Sequence, residues 1–309
     1  MKNILVIGGT RFFGRHLVNQ LLGRGHKVTI ATRGQTPDTF GDRVQRIKVN
    51  RRDREAMIKA FANTDYFDLI YDQMCYNLLD IDIANDVFDG NVGRYIMSST
   101  IETYNHLMGL QSNPYKENDF NLSAVDVEQT FPWHEASYMQ SRYADGKRQA
   151  EAHLYNTSIL PAVTVRIGHV IAGREDFTKR LQSYVLAAIE GTSIPTSPAP
   201  QPSSFITVRD IVAFLIWLGE QNFIGPINAA CEPALALDDI LKSVQEICQK
   251  PIKTHLSSNA QSQRTPYDYL SPHVMDTGRA KDLGFKFSPI LESLPRLVQE
   301  LLDDLVVEA

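Results

Sequence analysis

Short apolar runs alternate with amphipathic stretches along the first half of the chain, and this pattern predicts strands connected by helices. The predicted strands are Ile4–Ile7, Val28–Ala31, Val44–Val49, Leu69–Tyr71, Arg94–Met97 and Val163–Ile167. The predicted helices between them are Arg15–Leu22, Asp80–Phe88 and Ser141–Tyr155. Strands that alternate with helical crossovers build a parallel sheet. The pattern therefore predicts an α/β fold with a doubly wound parallel sheet.

The second half of the chain begins with a proline-rich segment. Residues 191–204 hold four prolines, which exclude a central strand or a helix, so we expect a loop over a cleft or between lobes. A largely apolar stretch follows over Phe205–Leu218. Amphipathic helices are predicted over Leu237–Gln249 and Leu291–Leu305. The domains expected from this pattern are a main domain of residues 1–170 and 205–230 and a smaller lobe of residues 171–204 and 231–309.

Composition narrows the class of protein. The 309 residues carry 31 Lys and Arg against 36 Asp and Glu, a net charge of −5, so no global basic field favours nucleic acid as a partner. The three cysteines are widely spaced and indicate neither a disulfide framework nor a zinc site, and we expect no metal. Neither a membrane span nor a signal peptide is found, so a cytoplasmic protein with no membrane partner is expected.

A glycine-bearing turn follows the first predicted strand and opens the first predicted helix. Gly8 allows the tight turn, Gly14 lets the helix and strand pack closely, and the amides of residues 10–13 can point at a pyrophosphate. A plain strand-to-helix turn is the alternative. The cofactor contacts predicted in this turn are Gly8, Thr10, Arg11, Phe12, Phe13 and Gly14.

Two arginines bear on the kind of dinucleotide. Arg11 stands where a middle glycine is common, and its guanidinium can fork onto a phosphate. Arg33 follows the second strand, where NAD sites usually place an acid for the ribose 2′-hydroxyl. These cations favour a 2′-phosphate, so the sequence predicts NADP in preference to NAD. The alternative for Arg33 is a solvated surface arginine.

A tyrosine, a lysine and a threonine form the candidate catalytic group. Tyr143 and Lys147 are four residues apart in a helical stretch and share one face, while Thr100 follows the predicted strand Arg94–Met97 at the sheet edge where ligands bind. An adjacent ammonium favours the phenolate, so Lys147 is expected to lower the pKa of Tyr143 and make it a general base. Thr100 would bond the substrate oxygen, and Lys147 would also hold the nicotinamide ribose. The alternative is an exposed tyrosine–lysine pair.

These motifs, with the matching segments at residues 98–104, 205–210 and 276–280, resemble extended short-chain dehydrogenase/reductases over nearly the whole chain. The GGTRFFG turn is similar to an atypical branch of NAD-dependent epimerases and dehydratases that includes chloroplast stem-loop RNA-binding proteins. The resemblance implies a Rossmann domain, a smaller C-terminal substrate lobe and often a homodimer.

The resemblance also implies roles for single residues. Thr100, Tyr143 and Lys147 match the catalytic positions of the family. Among cofactor contacts, Asn50 stands where an aspartate commonly reads the adenine amine, with Arg51 beside it, and His169 lies where the family often contacts the carboxamide.

For the substrate, the resemblance gives mixed indications. Glu102 retains the base position of sugar dehydratases, with a solvated turn residue as its alternative, and Arg264 could match an arginine that grips a substrate pyrophosphate. Ser203 stands where nucleotide-sugar epimerases carry the other such arginine, which places a sugar-nucleotide substrate in question.

The predicted function is NADP- or NAD-dependent oxidoreduction at a hydroxyl or carbonyl of a small polar substrate, a class that includes sugars and nucleotide sugars. An epimerase would retain its cofactor through a transient ketone, whereas a reductase would consume it. The alternative is a non-catalytic dinucleotide sensor or an RNA-binding protein on the same fold, which would need no proton relay.

Overall fold

The computed structural model describes residues 1–110, 114–257 and 265–307, with residues 306 and 307 by their main chain only. Its strands are β1 (Asn3–Ile7), β2 (Lys27–Thr32), β3 (Gln45–Lys48), β4 (Leu69–Asp72), β5 (Tyr95–Thr100), β6 (Ala162–Ile167), β7 (His169–Ile171), β8 (Ser193–Thr196), β9 (Phe205–Thr207), β10 (Gly225–Ala229) and β11 (Lys253–Leu256). Its α-helices are α1 (Phe12–Gly23), α2 (Arg54–Phe61), α3 (Leu78–Phe88), α4 (Ala136–Ser141), α5 (Tyr143–Thr157), α6 (Arg180–Glu190), α7 (Val208–Leu218), α8 (Leu237–Cys248), α9 (Gly278–Asp282) and α10 (Ile290–Val307).

The chain forms two compact units. The first unit comprises residues 1–103, 117–167 and 212–228, and the second comprises residues 104–116, 168–211 and 229–309.

The first unit is built on a seven-stranded sheet in the order β10-β6-β5-β4-β1-β2-β3. The pairs β1–β2, β2–β3, β1–β4, β4–β5 and β5–β6 are parallel. All six residues of β5 and all six of β6 are buried, as expected of strands covered on both faces. The chain runs outwards from β1 to β3 on one side and from β4 to β6 on the other, which is the strand order of a doubly wound dinucleotide-binding sheet. The predicted Rossmann-type α/β fold is therefore confirmed.

Local sequence explains why α3 begins where it does. The Asn77 side chain accepts hydrogen bonds from the N–H groups of Leu79 (3.1 Å) and Asp80 (3.4 Å). The Asp80 carboxylate accepts in return from the N–H of Asn77 (3.3 Å), which completes a capping box. This cap fixes the start of α3 directly after the connection that leaves β4.

Among the described residues, none of the helices is both long and apolar enough to cross a membrane.

The predicted helix Ser141–Tyr155 is in fact two helices. Arg142 has a non-helical ψ of 33° and separates α4 from α5. Its guanidinium lies over the rings of Phe131 (4.5 Å) and Trp133 (4.9 Å) and pairs with Glu128 (3.2 Å). These contacts stabilise the position of Arg142 between the two helices. As a result Tyr143 is the first residue of α5.

The second unit contains two small parallel strand pairs, β7–β9 and β8–β11. Helices α6, α8 and α10 pack on one another through apolar residues at helical spacing. The strand β8 lies inside the segment predicted as a loop, so that prediction is wrong over Ser193–Thr196. A proline is tolerated there because β8 is paired on one side only, by β11.

The unit boundaries differ from those expected from the sequence. Residues 168–170 and 205–211 belong to the second unit because β7 pairs with β9 instead of joining the large sheet. Residues 104–116 also belong to the second unit, where Tyr115 forms a bridge with Met275.

A buried ion pair ties α5 to β6 in the first unit. Arg166 and Glu151 both have fully buried side chains, and Arg166 Nη2 lies 2.7 Å from Glu151 Oε2. Arg166 Nη1 also donates to the Glu117 carbonyl (2.9 Å), and the Ser99 hydroxyl donates to Glu151. Removal of one partner would leave an unpaired charge in the core.

We therefore expect Arg166→Leu to lower the free energy of unfolding by about 3–5 kcal/mol, measured by urea denaturation. The control is Lys27→Leu, which removes the exposed Lys27–Asp65 pair (3.4 Å) and should cost less than about 1 kcal/mol. Equal losses in the two variants would contradict the structural role assigned to Arg166.

Candidate active site

The candidate site lies at the carboxyl edge of the large sheet, where the chain direction reverses between β1 and β4. Open α/β sheets bind ligands at such a switch point. Three connections leave this edge: residues 8–11 after β1, residues 73–77 after β4, and the 3₁₀ helix Ile101–Leu107 after β5.

The turn after β1 has the backbone that a close approach to a ligand requires. Gly8 and Gly9 adopt φ values of +100° and +85°, a region that residues with a Cβ rarely enter. Phe12, the first residue of α1, also has a positive φ of +49°. Arg11 precedes the helix in an extended conformation and its side chain does not cap it. The turn thus presents main chain at the N-terminus of α1, as an anion site does.

A glutamine after β4 lines the same turn. A Cβ on Gly14 would come within 2.2 Å of the Gln73 carboxamide oxygen and 3.0 Å of the Gly9 Cα, so a side chain at this position would displace Gln73. The Gln73 Nε2 atom is buried and has no hydrogen-bond partner among the described residues. A cradle of this shape, with an unpartnered donor, fits the pyrophosphate of a dinucleotide. Arg11 and Arg33 are exposed, at the start of α1 and just after β2.

Tyr143 and Thr100 are brought together, as the sequence predicts. Tyr143 lies at the start of α5 and Thr100 at the end of β5, with the Thr100 hydroxyl near the phenol. Burial raises the pKa of Tyr143 to about 12, while the nearby Thr100 hydroxyl lowers it and the Glu102 carboxylate raises it by smaller amounts. The pKa that the sequence predicts to be lowered is therefore raised in the protein by itself, because removal of the phenol from water disfavours the phenolate.

Lys147 is buried at the floor of the site. Its Nζ donates to the main-chain carbonyls of Cys75 (2.6 Å) and Ser98 (2.7 Å). The ammonium also lies 4.8 Å from the ring centre of Tyr76 and 5.8 Å from that of Tyr143. The cation therefore sits between the ends of β4 and β5, one helical turn from the tyrosine.

Glu102 follows Thr100 in the 3₁₀ helix. Its main-chain N–H donates to the Thr100 hydroxyl oxygen (3.2 Å), and its carboxylate is close enough to raise the pKa of Tyr143. The structure thus brings this predicted residue to the catalytic pair.

Arg51 does not occupy the position expected of a cofactor contact. Its side chain is buried and forms ion pairs with Asp72 and with Asp80 (3.1 Å). Both carboxylates engage its guanidinium, and the assignment of Arg51 as a cofactor contact stays a prediction. The adjacent Asn50 is exposed, and its Oδ1 accepts from the Arg52 N–H (3.3 Å), which leaves an oxygen at the surface after β3.

His169 belongs to the second unit, where it begins β7. Its ring stacks on Tyr269 with centres 4.9 Å apart and lies 5.8 Å from the ring of His273. Burial lowers the pKa of His169 well below its usual value, and the nearby His273 and Arg180 lower it further, so the imidazole is neutral. Its assignment as a cofactor contact stays a prediction. Arg264 lies outside the described residues.

Three residues of the site were not predicted: Cys75, Tyr76 and Ser98. Cys75 and Ser98 act through main-chain carbonyls, which no side-chain pattern reveals. Tyr76 could have been found, since it is an aromatic residue a few positions after β4, at the edge where ligands bind.

Comparison with known proteins places these observations in a family. The model of the NAD dependent epimerase/dehydratase family matches residues 4–229. UDP-glucuronic acid decarboxylase 3 of Arabidopsis thaliana is 24% identical over 283 residues, which cover 83% of this chain and 77% of that protein. Chloroplast stem-loop binding protein of 41 kDa b, also from Arabidopsis thaliana, is 33% identical over 84 residues, or 23% of this chain and only 22% of that protein.

Solved structures share the fold. UDP-glucose 4-epimerase of Thermotoga maritima, solved with UDP-glucose, has a TM-score of 0.73 at 15% identity and covers 98% of this chain and 99% of its own. The Bordetella bronchiseptica enzyme WbmG, solved with NAD, has a TM-score of 0.76 at 15% identity. The match covers 98% of this chain and 94% of the WbmG chain. Identities this low show the fold alone.

The family model spans well over half of the chain and includes the glycine turn, Thr100, Tyr143 and Lys147. The protein therefore belongs to the NAD dependent epimerase/dehydratase family and is an enzyme of the short-chain dehydrogenase/reductase type that uses NAD or NADP.

Proposed function

We propose that the protein oxidises or reduces a hydroxyl or carbonyl group of a sugar substrate, with nucleotide sugars as the first class to test, through Thr100, Tyr143 and Lys147. The observation that carries the proposal is the Lys147 ammonium 5.8 Å from the ring centre of Tyr143, with the Thr100 hydroxyl near the same phenol. A bound dinucleotide would supply or accept the hydride.

The side chains have distinct roles in this chemistry. With a pKa of about 12, Tyr143 is almost entirely protonated at neutral pH, so it is ready to donate a proton to a carbonyl oxygen. In the opposite direction it must first lose that proton, and the Lys147 ammonium favours the phenolate. Thr100 is placed to bond the same substrate oxygen. The third N–H of Lys147 would bond a hydroxyl of the nicotinamide ribose.

Support for a nucleotide sugar comes from the relatives, three of which are UDP-glucuronic acid decarboxylases. Ser203 is an uncharged residue, and its buried hydroxyl donates to the His273 carbonyl (3.0 Å), so it supplies no charge for a pyrophosphate. Glu102, which follows Thr100 in the 3₁₀ helix, would act as a base at a sugar carbon.

Substrate screening should use a panel of nucleotide sugars, sugar phosphates and free sugars with each dinucleotide. Product analysis separates epimerisation, decarboxylation and reduction, and steady consumption of NADPH or NADH marks a reductase. Binding of neither dinucleotide to the wild type would contradict the proposal.

The first test of the relay is Tyr143→Phe. Loss of the proton-transferring hydroxyl should lower kcat by about 10²–10⁴-fold while dinucleotide affinity stays within a few-fold of the wild type. Steady-state turnover and calorimetric titration measure the two quantities. The matched control is Tyr66→Phe, which alters an exposed tyrosine and should leave both unchanged. Unchanged turnover in Tyr143→Phe would remove the relay and favour a binding protein.

The cofactor preference rests on Arg33. We propose that NADP binds better than NAD because Arg33 follows β2 where no carboxylate is present to bond the ribose 2′-hydroxyl.

We expect Arg33→Ser to weaken NADPH binding about tenfold or more and to change NADH binding little, since a charge-assisted bond is worth about 1.5–3 kcal/mol. The dissociation constants are measured by fluorescence titration. Lys59→Ser, which removes an exposed charge of α2, is the control. An equal loss of affinity for both dinucleotides would show that Arg33 does not recognise the 2′-phosphate.

A further inference from the structure

A buried ionic cluster lies beside the candidate site in the first unit. Arg51 Nη1 pairs with Asp80 Oδ1 (3.1 Å) and Arg51 Nη2 pairs with Asp72. The side chain of Arg51 is 8% exposed and both carboxylates are fully buried. Such clusters are weak sources of net stability, because desolvation offsets the attraction between the charges. Their better-attested effect is to specify one arrangement, so we asked what this cluster holds in place.

The two carboxylates bond the main chain of the connection that leaves β4. Asp72 Oδ1 accepts from the N–H of Met74 (2.8 Å). Asp80 Oδ2 accepts from the N–H of Tyr76 (2.7 Å) and from that of Asn77 (3.3 Å). Since the planar guanidinium of Arg51 bridges both acids, it fixes the separation of the Met74 and Tyr76 amides.

Cys75 lies between those two amides, and its carbonyl accepts from Lys147 Nζ at 2.6 Å. The neighbouring Tyr76 ring faces the same ammonium at 4.8 Å. Gly146 lets α5 approach closely, because a Cβ there would come within 2.6 Å of the Tyr76 carbonyl oxygen. An ion pair, a hydrogen bond from a main-chain N–H and the Cys75–Lys147 hydrogen bond therefore connect Arg51 to Lys147.

Other ionisable groups face the cluster. The Tyr95 hydroxyl donates to Asp72 (2.5 Å), and His134 Nε2 lies 3.3 Å from Asp80. Burial by itself would raise the pKa of Asp80, but Arg51, His134 and the Tyr76 N–H outweigh it and lower the pKa to about 2. Burial raises the pKa of the Cys75 thiol, which stays neutral. Asp80 is thus ionised throughout the pH range of an ordinary assay.

We propose that Arg51 is a positioning residue that acts through Asp72 and Asp80 on residues 74–76, so that the Cys75 carbonyl holds the Lys147 ammonium beside Tyr143. The inference rests on the proposed function of Lys147, but the position of the lysine can be measured without turnover.

The principal variant is Arg51→Lys, which keeps the charge but cannot fork onto both carboxylates. Asp72→Asn is the second variant, because it removes the Arg51–Asp72 ion pair and keeps the Arg51–Asp80 ion pair. The matched control is Arg54→Lys, which alters the surface pair of Arg54 and Asp86. Circular dichroism establishes which variants are folded.

The first readout is the rate at which acetic anhydride acylates Lys147, followed by peptide mass spectrometry and referred to the exposed Lys59 in the same sample. Lys147 is only 3% exposed, so the wild type should react slowly. We expect Arg51→Lys and Asp72→Asn to react at least several times faster at Lys147, and Arg54→Lys to match the wild type.

The second readout is catalysis in the oxidative direction. Misplacement by about 1 Å can cost about 10²-fold, so kcat should fall by that order in Arg51→Lys, with a smaller change in substrate KM. The limb of the pH–rate profile that reports Tyr143 should move to higher pH, because a displaced ammonium favours the phenolate less. A general loss of folding stability would not move that limb.

The outcomes separate the two proposals. Wild-type acylation rates at Lys147 in both folded variants, with an unmoved pH limb, would overturn the positioning role. If Arg51→Lys does not fold, the acylation rate and pH–rate profile of Asp72→Asn alone test the positioning role. If Lys147 reacts faster but Tyr143→Phe retains full turnover, the positioning stands and the proposed catalytic function fails.

Discussion

The site depends on how the Lys147 ammonium is held. A buried cation must be satisfied, and here two main-chain carbonyls, those of Cys75 and Ser98, accept its protons at 2.6 and 2.7 Å. A carboxylate in their place would neutralise the charge. Because carbonyl dipoles solvate the ammonium without cancelling it, its field still acts on the Tyr143 phenol and on any hydroxyl bound nearby.

The parallel sheet makes this arrangement possible. Strands β4 and β5 are neighbours, with Asp72 paired to Met97, so the residues that follow them lie side by side at one edge. Cys75 and Ser98 can therefore both face one ammonium delivered by α5. The glycine turn after β1 opens on the same edge, which brings the candidate pyrophosphate site and the candidate proton-transfer pair into one unit of the protein. The chemistry thus follows from strand order as much as from residue type.

Side-chain chemistry and spacing were sufficient to predict that Tyr143 and Lys147 share one helix face, that Thr100 ends a strand at the same sheet edge, and that a glycine turn follows β1. They could not predict the carbonyl partners of Lys147, because every residue carries a carbonyl and only the fold decides which ones converge. The burial of Arg51 could not be predicted for a related reason. Arg51 stands in a run of polar residues that resembles an exposed loop, and its burial depends on Asp72 and Asp80, which are 21 and 29 positions away. Contacts so distant in sequence leave no local periodicity.

The sequence predicts a lowered pKa for Tyr143 because it reveals the neighbouring lysine but not how deeply the phenol is buried. An ammonium 5.8 Å from the ring centre favours the phenolate, but removal of the phenol from water disfavours it more strongly, and the pKa rises to about 12. A group with this pKa is an acid at neutral pH. In the proposed chemistry, an oxidised nicotinamide would add positive charge, which favours the phenolate, and a reduced one would not. We therefore expect the charge of the cofactor to influence which proton state of Tyr143 is favoured.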